Sequence, residues 1–372
     1  ETEWANAANV KREWEKNKKN IFRILYVIVV IVLCIVFLRK TIKYLKKLKG
    51  LNKYKPEQEL EYFRDLPQES VTPGEALYIL EEPYSIFTSQ FGNIFSATLL
   101  NLDLKKFIEL RVEKSEKGKD KIYIRKLKPA TPELKEDEAE VLNFVYKVDK
   151  EKEEITLKSL EKYIEQHSTL IQKLIERIQK AIETQLEKEN RFNKKEKEEY
   201  TKYRGIELTY LVSAIITLLW LFPFSIVLLI NGVVCSKIKK KINVLTQKGI
   251  NEKEKWKGMK KYMEDFSLLD EKEVPAIEVW ERYLVYATAF GIAEKVLKQL
   301  KILYPNIDEI DALNSSAYMY FMYHSNFSTN FNNAINTSIS LSYSSGSGSG
   351  GGFSGGGGGG RRPVAAVAAD NN

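Results

Sequence analysis

Reactive side chains are scarce in this chain. Two histidines and two cysteines among 372 residues cannot build a zinc cluster or a disulfide framework. Cys34 and Cys235 fall in or beside apolar runs, where a thiol behaves as a small hydrophobe. No glycine-rich loop leads into a helix with the Lys-Ser/Thr that a phosphate cradle requires; Gly346–Gly360 is a compositional tract. The most informative absence is charge. Leu208–Val234 runs for twenty-seven residues without any, and an uncharged run of that length belongs in a bilayer. Neither it nor Ile24–Leu38 contains an acid, a base or a histidine, which removes the usual groups for ion or proton translocation. These runs read as anchors.

What is present is basic charge beside the apolar runs. The net charge is +8, yet eight basic residues and no acid lie between Arg39 and Lys55. Pro56–Ile206 holds 27 basic and 31 acidic residues, 27 − 31 = −4. Basicity confined to the membrane edge suits cytoplasmic loops and anionic headgroups better than nucleic acid.

Ile24–Leu38 extends to Ile21 if Arg23 snorkels to the interface. Eighteen residues then reach ~27 Å, close to the ~30 Å hydrocarbon core. The basic flanks favour a cytoplasmic C-terminal side. The second run is too long for one upright helix, at ~40 Å, and it contains Pro223. Lys194, Lys195, Lys197, Lys202 and Arg204 precede it; Lys237, Lys239, Lys240 and Lys241 follow it. Two short helices turning near Pro223, entering and leaving on one side, satisfy both flanks. A single tilted span, with the C-terminal half outside, is the alternative.

The soluble stretches carry local signals. Thr72-Pro73-Gly74-Glu75 is a helix start with an N-cap, Pro at the first position and a capping-box acid. A second helix is expected around Phe95–Leu104. Phe107–Val112 and Lys121–Leu127 alternate as a hairpin, and helix, helix, hairpin is the winged-helix order. A further helix follows Thr131-Pro132, and Glu154–Thr156 is a short extended piece. Leu157, Leu160, Ile164, His167, Ile171, Leu174, Ile178 and Ala181 then recur at three- and four-residue steps. They predict one long helix with a coiled-coil or core seam, grading into a charged stalk, Glu187–Arg204. His167 would sit in that seam, where protonation near its ordinary pKa of ~6.5 would loosen it.

Beyond the second run, Ile250–Phe266 places Trp256, Met259, Tyr262, Met263 and Phe266 on one helical face. Ile277–Leu300 reads as one longer helix in which Ala287 and Gly291 permit close approach. Glu278, Glu281 and Glu294 are carboxylates of that region, read as a solvated face. His324 lies among tyrosines without metal spacing, and Ser344–Gly360 reads as a flexible tail. The basic residues around the hairpin, from Lys105 to Lys128, are interrupted by Glu109, Glu113, Glu116 and Asp120.

In this order the parts resemble the YciQ-type predicted membrane proteins of bacteria, a family of unknown function. The resemblance rests on Thr72–Glu75, Ala97–Leu102 with Phe107-Ile108, Trp256-x-Gly258-x-x-x-Tyr262-x-x-Asp265-Phe266 and, above all, Trp280–Ala293. It implies a preceding extracytoplasmic domain and a first membrane helix whose C-terminal side is cytoplasmic. The chain is therefore expected to be mainly α with small β-hairpins. Residues 1–20 would be an exit segment, 21–38 a transmembrane helix and 56–130 a winged-helix-like domain. Residues 131–206 would be a second helical or winged-helix-like segment with the stalk, and 207–235 a membrane hairpin. Residues 236–314 would be a cytoplasmic helical domain and 315–372 an aromatic, then Gly-rich tail. No catalytic, cofactor-binding or metal-binding residue is assigned, and no enzyme is expected. The expected partners are the lipid bilayer, docking proteins and a second copy through the long helix. The expectation is a multi-pass inner-membrane scaffold or signalling protein; the alternative is a tethered nucleic-acid-binding regulator using the wing.

Overall fold

The structure, a computed structural model, describes residues 2–66, 70–81, 90–113, 121–266 and 277–303, together with 333, 334 and 337. The first element, α1 (Thr2–Gly50), is one helix of 49 residues, about 73 Å long. Its apolar middle is Ile and Val on every side, so most of Ile24–Val36 is exposed. A helix apolar all round needs an apolar surrounding.

The soluble body begins with α2 (Pro73–Leu80). Thr72 Oγ1 accepts from the Glu75 amide, and the Glu75 carboxylate accepts from the Thr72 amide at 2.9 Å, closing the expected capping box. After α3 (Phe91–Leu104), β1 (Ile108–Glu113) and β2 (Lys121–Lys126) pair antiparallel, Leu110 opposite Ile124. After α4 (Glu136–Val148), β3 (Glu154–Thr156) pairs antiparallel with β2, Ile155 opposite Ile124. The sheet order is β1-β2-β3. The later strand thus joins the sheet of the earlier hairpin.

The long helix expected from Leu157 is broken. It becomes α5 (Leu157–Gln166) and α6 (Ser168–Lys188), hinged at His167, whose backbone is non-helical at φ −123°, ψ 51°. The His167 amide returns to the Ile164 carbonyl, and its ring Nδ1 lies 2.8 Å from the Tyr163 carbonyl oxygen. The imidazole stacks on the Tyr163 ring at 4.0 Å. His167 is therefore half-exposed at a joint and is not part of a buried seam. The seam itself is real: Leu160, Ile164, Ile171, Leu174 and Ile178 are fully buried in the body's own core. The expected stalk is also interrupted. Asn190 takes φ 57° after α6, the left-handed conformation that asparagine tolerates at a helix end, and a new helix starts only at Lys194.

That helix, α7 (Lys194–Thr217), turns through Leu218–Leu221 into α8 (Phe222–Lys241). Pro223 sits in the first turn of α8, where its missing N–H breaks no ladder bond. The two helices run antiparallel, with Gly232 against Leu211 and Lys239 paired to Glu207 at 2.6 Å. On the other flank of α8 lies α1. Thr41 Oγ1 donates to Asn231 Oδ1 at 3.1 Å, and Tyr26 donates to the Trp220 carbonyl at the turn.

From α1 the chain runs as an extended strap along α9 (Gln247–Asp265). The Tyr54 amide donates to Asn243 Oδ1 at 2.8 Å and the Glu57 amide to Asn251 Oδ1 at 3.0 Å. At Gly258 the strap comes so near that a Cβ would meet the Phe63 backbone nitrogen at 3.1 Å. The helix expected over Ile277–Leu300 is two, α10 (Ile277–Ala289) and α11 (Ala293–Leu303). Gly291, at φ +71°, makes the turn, with the Ile292 amide bonded back to the Ala287 carbonyl at 2.9 Å. Its glycine is needed for the left-handed backbone. Helix α10 packs on α2 and α3; Tyr286 donates to the Val71 carbonyl at 2.7 Å, and Trp256 and Trp280 are fully buried. The segments before and after the α7–α8 hairpin thus share one core.

Candidate functional site

The residues singled out from sequence do not converge. His167 is the joint described above; His324 lies outside the described residues. Glu281 is half-buried on α10, whereas Glu294 is exposed on α11 and pairs with Lys298 at 2.9 Å. The turn at Gly291 puts them on different helices. Glu278 lies in the first turn of α10. Among the described residues no three His, Cys, Asp or Glu side chains are placed to hold a metal ion. Cys34 is half-buried and Cys235 buried, both as free thiols.

The basic residues of the hairpin are largely committed to acids. Arg111 pairs with Glu154 at 2.9 Å across the sheet, Arg125 with Glu109 at 2.9 Å and Lys105 with Glu138 at 2.6 Å. Lys126 donates to the carbonyls of Asp149 and Lys152.

The densest chemistry lies at the base of the α7–α8 hairpin. There the turn Glu189–Asn193 faces Ile242–Thr246: Phe192 bridges Leu245, the Asn193 amide donates to the Val244 carbonyl at 2.9 Å, and the Thr246 amide to the Arg191 carbonyl at 3.1 Å. Both legs of the hairpin are pinned together before they diverge into helices. Arg191 is fully buried. Its Nη1 lies 2.9 Å from Glu189 Oε2 and its Nε 3.0 Å from Glu252 Oε2. Trp256 Nε1 donates to Glu252 Oε1 at 3.3 Å. Across the turn, Gly249 leaves room for the Arg191 carbonyl; a Cβ there would overlap the oxygen.

This ion group is linked to a second one. Lys135 donates to both Glu75 carboxylate oxygens at 2.9 and 2.7 Å and reaches Glu189 Oε1 at 3.5 Å. Thr72 Oγ1 donates to Asp137 Oδ2 at 2.6 Å. Glu138 accepts from Lys105 and from Asn101 Nδ2 at 2.6 Å. Glu75, Asp137, Glu138, Glu189 and Glu252 thus face only Lys105, Lys135 and Arg191. A buried excess of carboxylates is relieved most cheaply by a proton. Burial, then the neighbouring Glu75 charge, pushes Asp137 up to about 7. Burial also raises Glu75 against the pull of Lys135, and raises Glu252 against Arg191. Burial pushes Glu189 up too, but Gln185, Lys135 and Arg191 outweigh it and leave it lowered.

With Glu75, Glu138 and Arg191 wholly enclosed, these groups are closed to a substrate. Their chemistry is fastening: α2, α4, α6 and α9 are tied to the root of the hairpin. Sequence reading missed Arg191, because a lone arginine in a run of lysines and glutamates looks solvated. Apolar Phe192 beside it, in an otherwise charged stretch, was the available signal.

No curated protein and no solved structure matches the chain. A family model described as the C-terminal domain of a predicted membrane protein (DUF2207) matches residues 59–300. That match takes in the body, the ion groups at the hairpin base and both hairpin helices, and the chain belongs to this family of predicted membrane proteins of unknown function.

Proposed function

We propose that the chain is a non-enzymatic, multi-pass protein of the bacterial inner membrane that couples an external domain to a cytoplasmic body docking protein partners. The observation that carries this reading is the single core shared by the segments on either side of the hairpin. A hairpin whose two roots are pinned by Phe192 and Leu245 enters and leaves a bilayer on one face. The lysines at both roots favour the cytoplasmic face. Helix α1 runs past the hairpin turn, which meets it at Tyr26, so its first two dozen residues project beyond. In the YciQ-type reading, that projecting segment carries the external domain. The body, with its helix pair, hairpin and third strand, is winged-helix-like in order. Its commitment of Arg111, Arg125 and Lys105 to carboxylates favours protein docking over phosphate contacts, which need concentrated free basic charge.

Sidedness tests this directly. In a background of Cys34→Ala and Cys235→Ala, single cysteines at the exposed positions Lys11, Lys195 and Lys257 are labelled in intact cells with a membrane-impermeant maleimide. Lys11→Cys should label from outside, and Lys195→Cys and Lys257→Cys only after permeabilisation. Opposite sidedness of positions 195 and 257 would restore the single tilted span and remove the proposal.

A further inference from the structure

The helix bundle is incomplete. Helices α1 and α7 both pack along α8, and they meet each other through long side chains: Tyr44 lies edge-on to Tyr203 and Tyr210 at 6.2 and 6.3 Å, and Lys47 pairs with Glu199. Between them runs an open groove of about 1150 Å³. Phe224 and Leu228 of α8 form its floor, and Phe37 and Tyr44 line the α1 side. On α7 the lining passes from Ile206 through Thr209, Tyr210 and Ser213 to Thr217. These eleven steps of helix cover about 16 Å, the depth of one leaflet of a ~30 Å hydrocarbon core.

The lower end is different. Lys40, Lys194, Lys197 and Lys202 line it together with Glu183 and Glu198. Lys197 is committed to Glu183, so Lys40, Lys194 and Lys202, all exposed, outnumber the remaining acid. Lys40 also lies 4.5 Å from the centre of the Phe37 ring, placing an ammonium where the apolar wall ends. Basic mouths between membrane helices on the cytoplasmic side bind acidic headgroups.

The geometry points to a binding site for one anionic phospholipid of the cytoplasmic leaflet, its acyl chain along Ile206–Thr217 and its phosphate at Lys40, Lys194 and Lys202. A partner's transmembrane helix suits the groove less well. It would need about 30 Å of apolar length, and the lysines close the groove after roughly half of that. This inference rests on the membrane reading above.

The test is lipid retention by the full chain. Protein reconstituted in phosphatidylcholine vesicles containing a minor fraction of phosphatidylglycerol is first floated after alkaline carbonate washing. It is then extracted in mild detergent, and retained lipid is read by native mass spectrometry. The intact chain should hold about one phosphatidylglycerol per copy. K40Q/K194Q/K202Q should cut that at least about tenfold. K43Q/K46Q/K49Q removes equal charge from exposed positions of the same basic segment outside the groove and should retain the lipid. T209W, which adds bulk inside the groove and no charge, should lose it. Equal losses in the two lysine triples mean diffuse surface adsorption and overturn the site. So does full retention by T209W, or equal retention of phosphatidylcholine. Failure of the intact chain to float overturns the membrane reading instead, and the site with it.

Discussion

The soluble body and the helix bundle bury polar groups in different ways. In the body, Arg191, Glu75 and Glu138 are completely enclosed charges, and each is held by oppositely charged partners within 3 Å. In the bundle, the α1–α8 contact contains neutral groups. Asn231 Nδ2 donates to the Val227 carbonyl at 3.0 Å, and Thr41 Oγ1 donates to Asn231 and to the Phe37 carbonyl. Only 6 % of the most apolar window of α1 is buried, against 50 % for α8. The body can use charge because it brings several partners to one place and the surrounding water drives the rest of its surface inward. The bundle has no such drive from lipid, so small residues and single hydrogen bonds decide where helices meet. Gly232 against Leu211 and Tyr210 is one such place.

The largest expected effect is at Arg191. Arg191→Met removes the cation between Glu189 and Glu252 and leaves their carboxylates enclosed. A loss of about 3–5 kcal/mol is expected for breaking a buried ion group by one partner, read as a lowered midpoint of thermal unfolding in detergent. The triple change Arg191→Met, Glu189→Gln, Glu252→Leu sharpens the comparison. If uncompensated charge is the cause, the triple variant recovers most of the stability. A triple variant as unstable as the single one would mean that Arg191 matters for its backbone or packing, and the contrast between body and bundle would fail.

The same contrast explains what could be read from sequence. The Thr72–Glu75 cap is local chemistry, complete within four residues, and it stands as expected. The hairpin turn near Pro223 follows from length, proline placement and flanking lysines, all visible along the chain. The break at His167 was hidden because the three- and four-residue spacing continues through it. Leu160, Ile164, Ile171 and Leu174 are buried on both sides of the joint, so periodicity alone cannot register one non-helical residue. Arg191 was hidden for another reason: its second partner, Glu252, lies on a helix beyond the whole hairpin. Within the bundle, apolar periodicity says nothing, since α1 is apolar on all sides. Asn231 and Gly232 were the legible marks of contact.

A smaller effect is expected in the bundle. Asn231→Leu removes the side-chain bonds to Val227 and Thr41 but leaves Thr41 bonded to the Phe37 carbonyl at 3.0 Å. Interhelical polar contacts in membranes contribute about 0.6–2 kcal/mol, so a loss of about 1 kcal/mol is expected in unfolding titrations from mild detergent into SDS. A loss as large as that of Arg191→Met would erase the distinction drawn here.

The smallest effect at acidic pH, and the most specific, is at Asp137. Its folded value, about 7, lies above the ordinary 3.8 because burial and Glu75 disfavour its charge. The folded state therefore binds more protons than the unfolded chain between about pH 4 and 7. The stability from this group is fully present below the unfolded value and is lost as pH rises through about 7, with no further change above. Asp137→Asn keeps a neutral acceptor for Thr72 Oγ1 and the volume of the side chain. At pH 5 it should cost less than about 1 kcal/mol. Its stability, followed by thermal unfolding from pH 5 to 8, should fall less steeply than that of the intact chain, so that the two curves converge or cross. Glu75, raised in the same direction, contributes whatever slope persists in the variant. Parallel curves would mean that Asp137 is already ionised at pH 5. The excess of carboxylates at the hairpin base would then be balanced by cations after all, and the body would bury its charges without needing a proton.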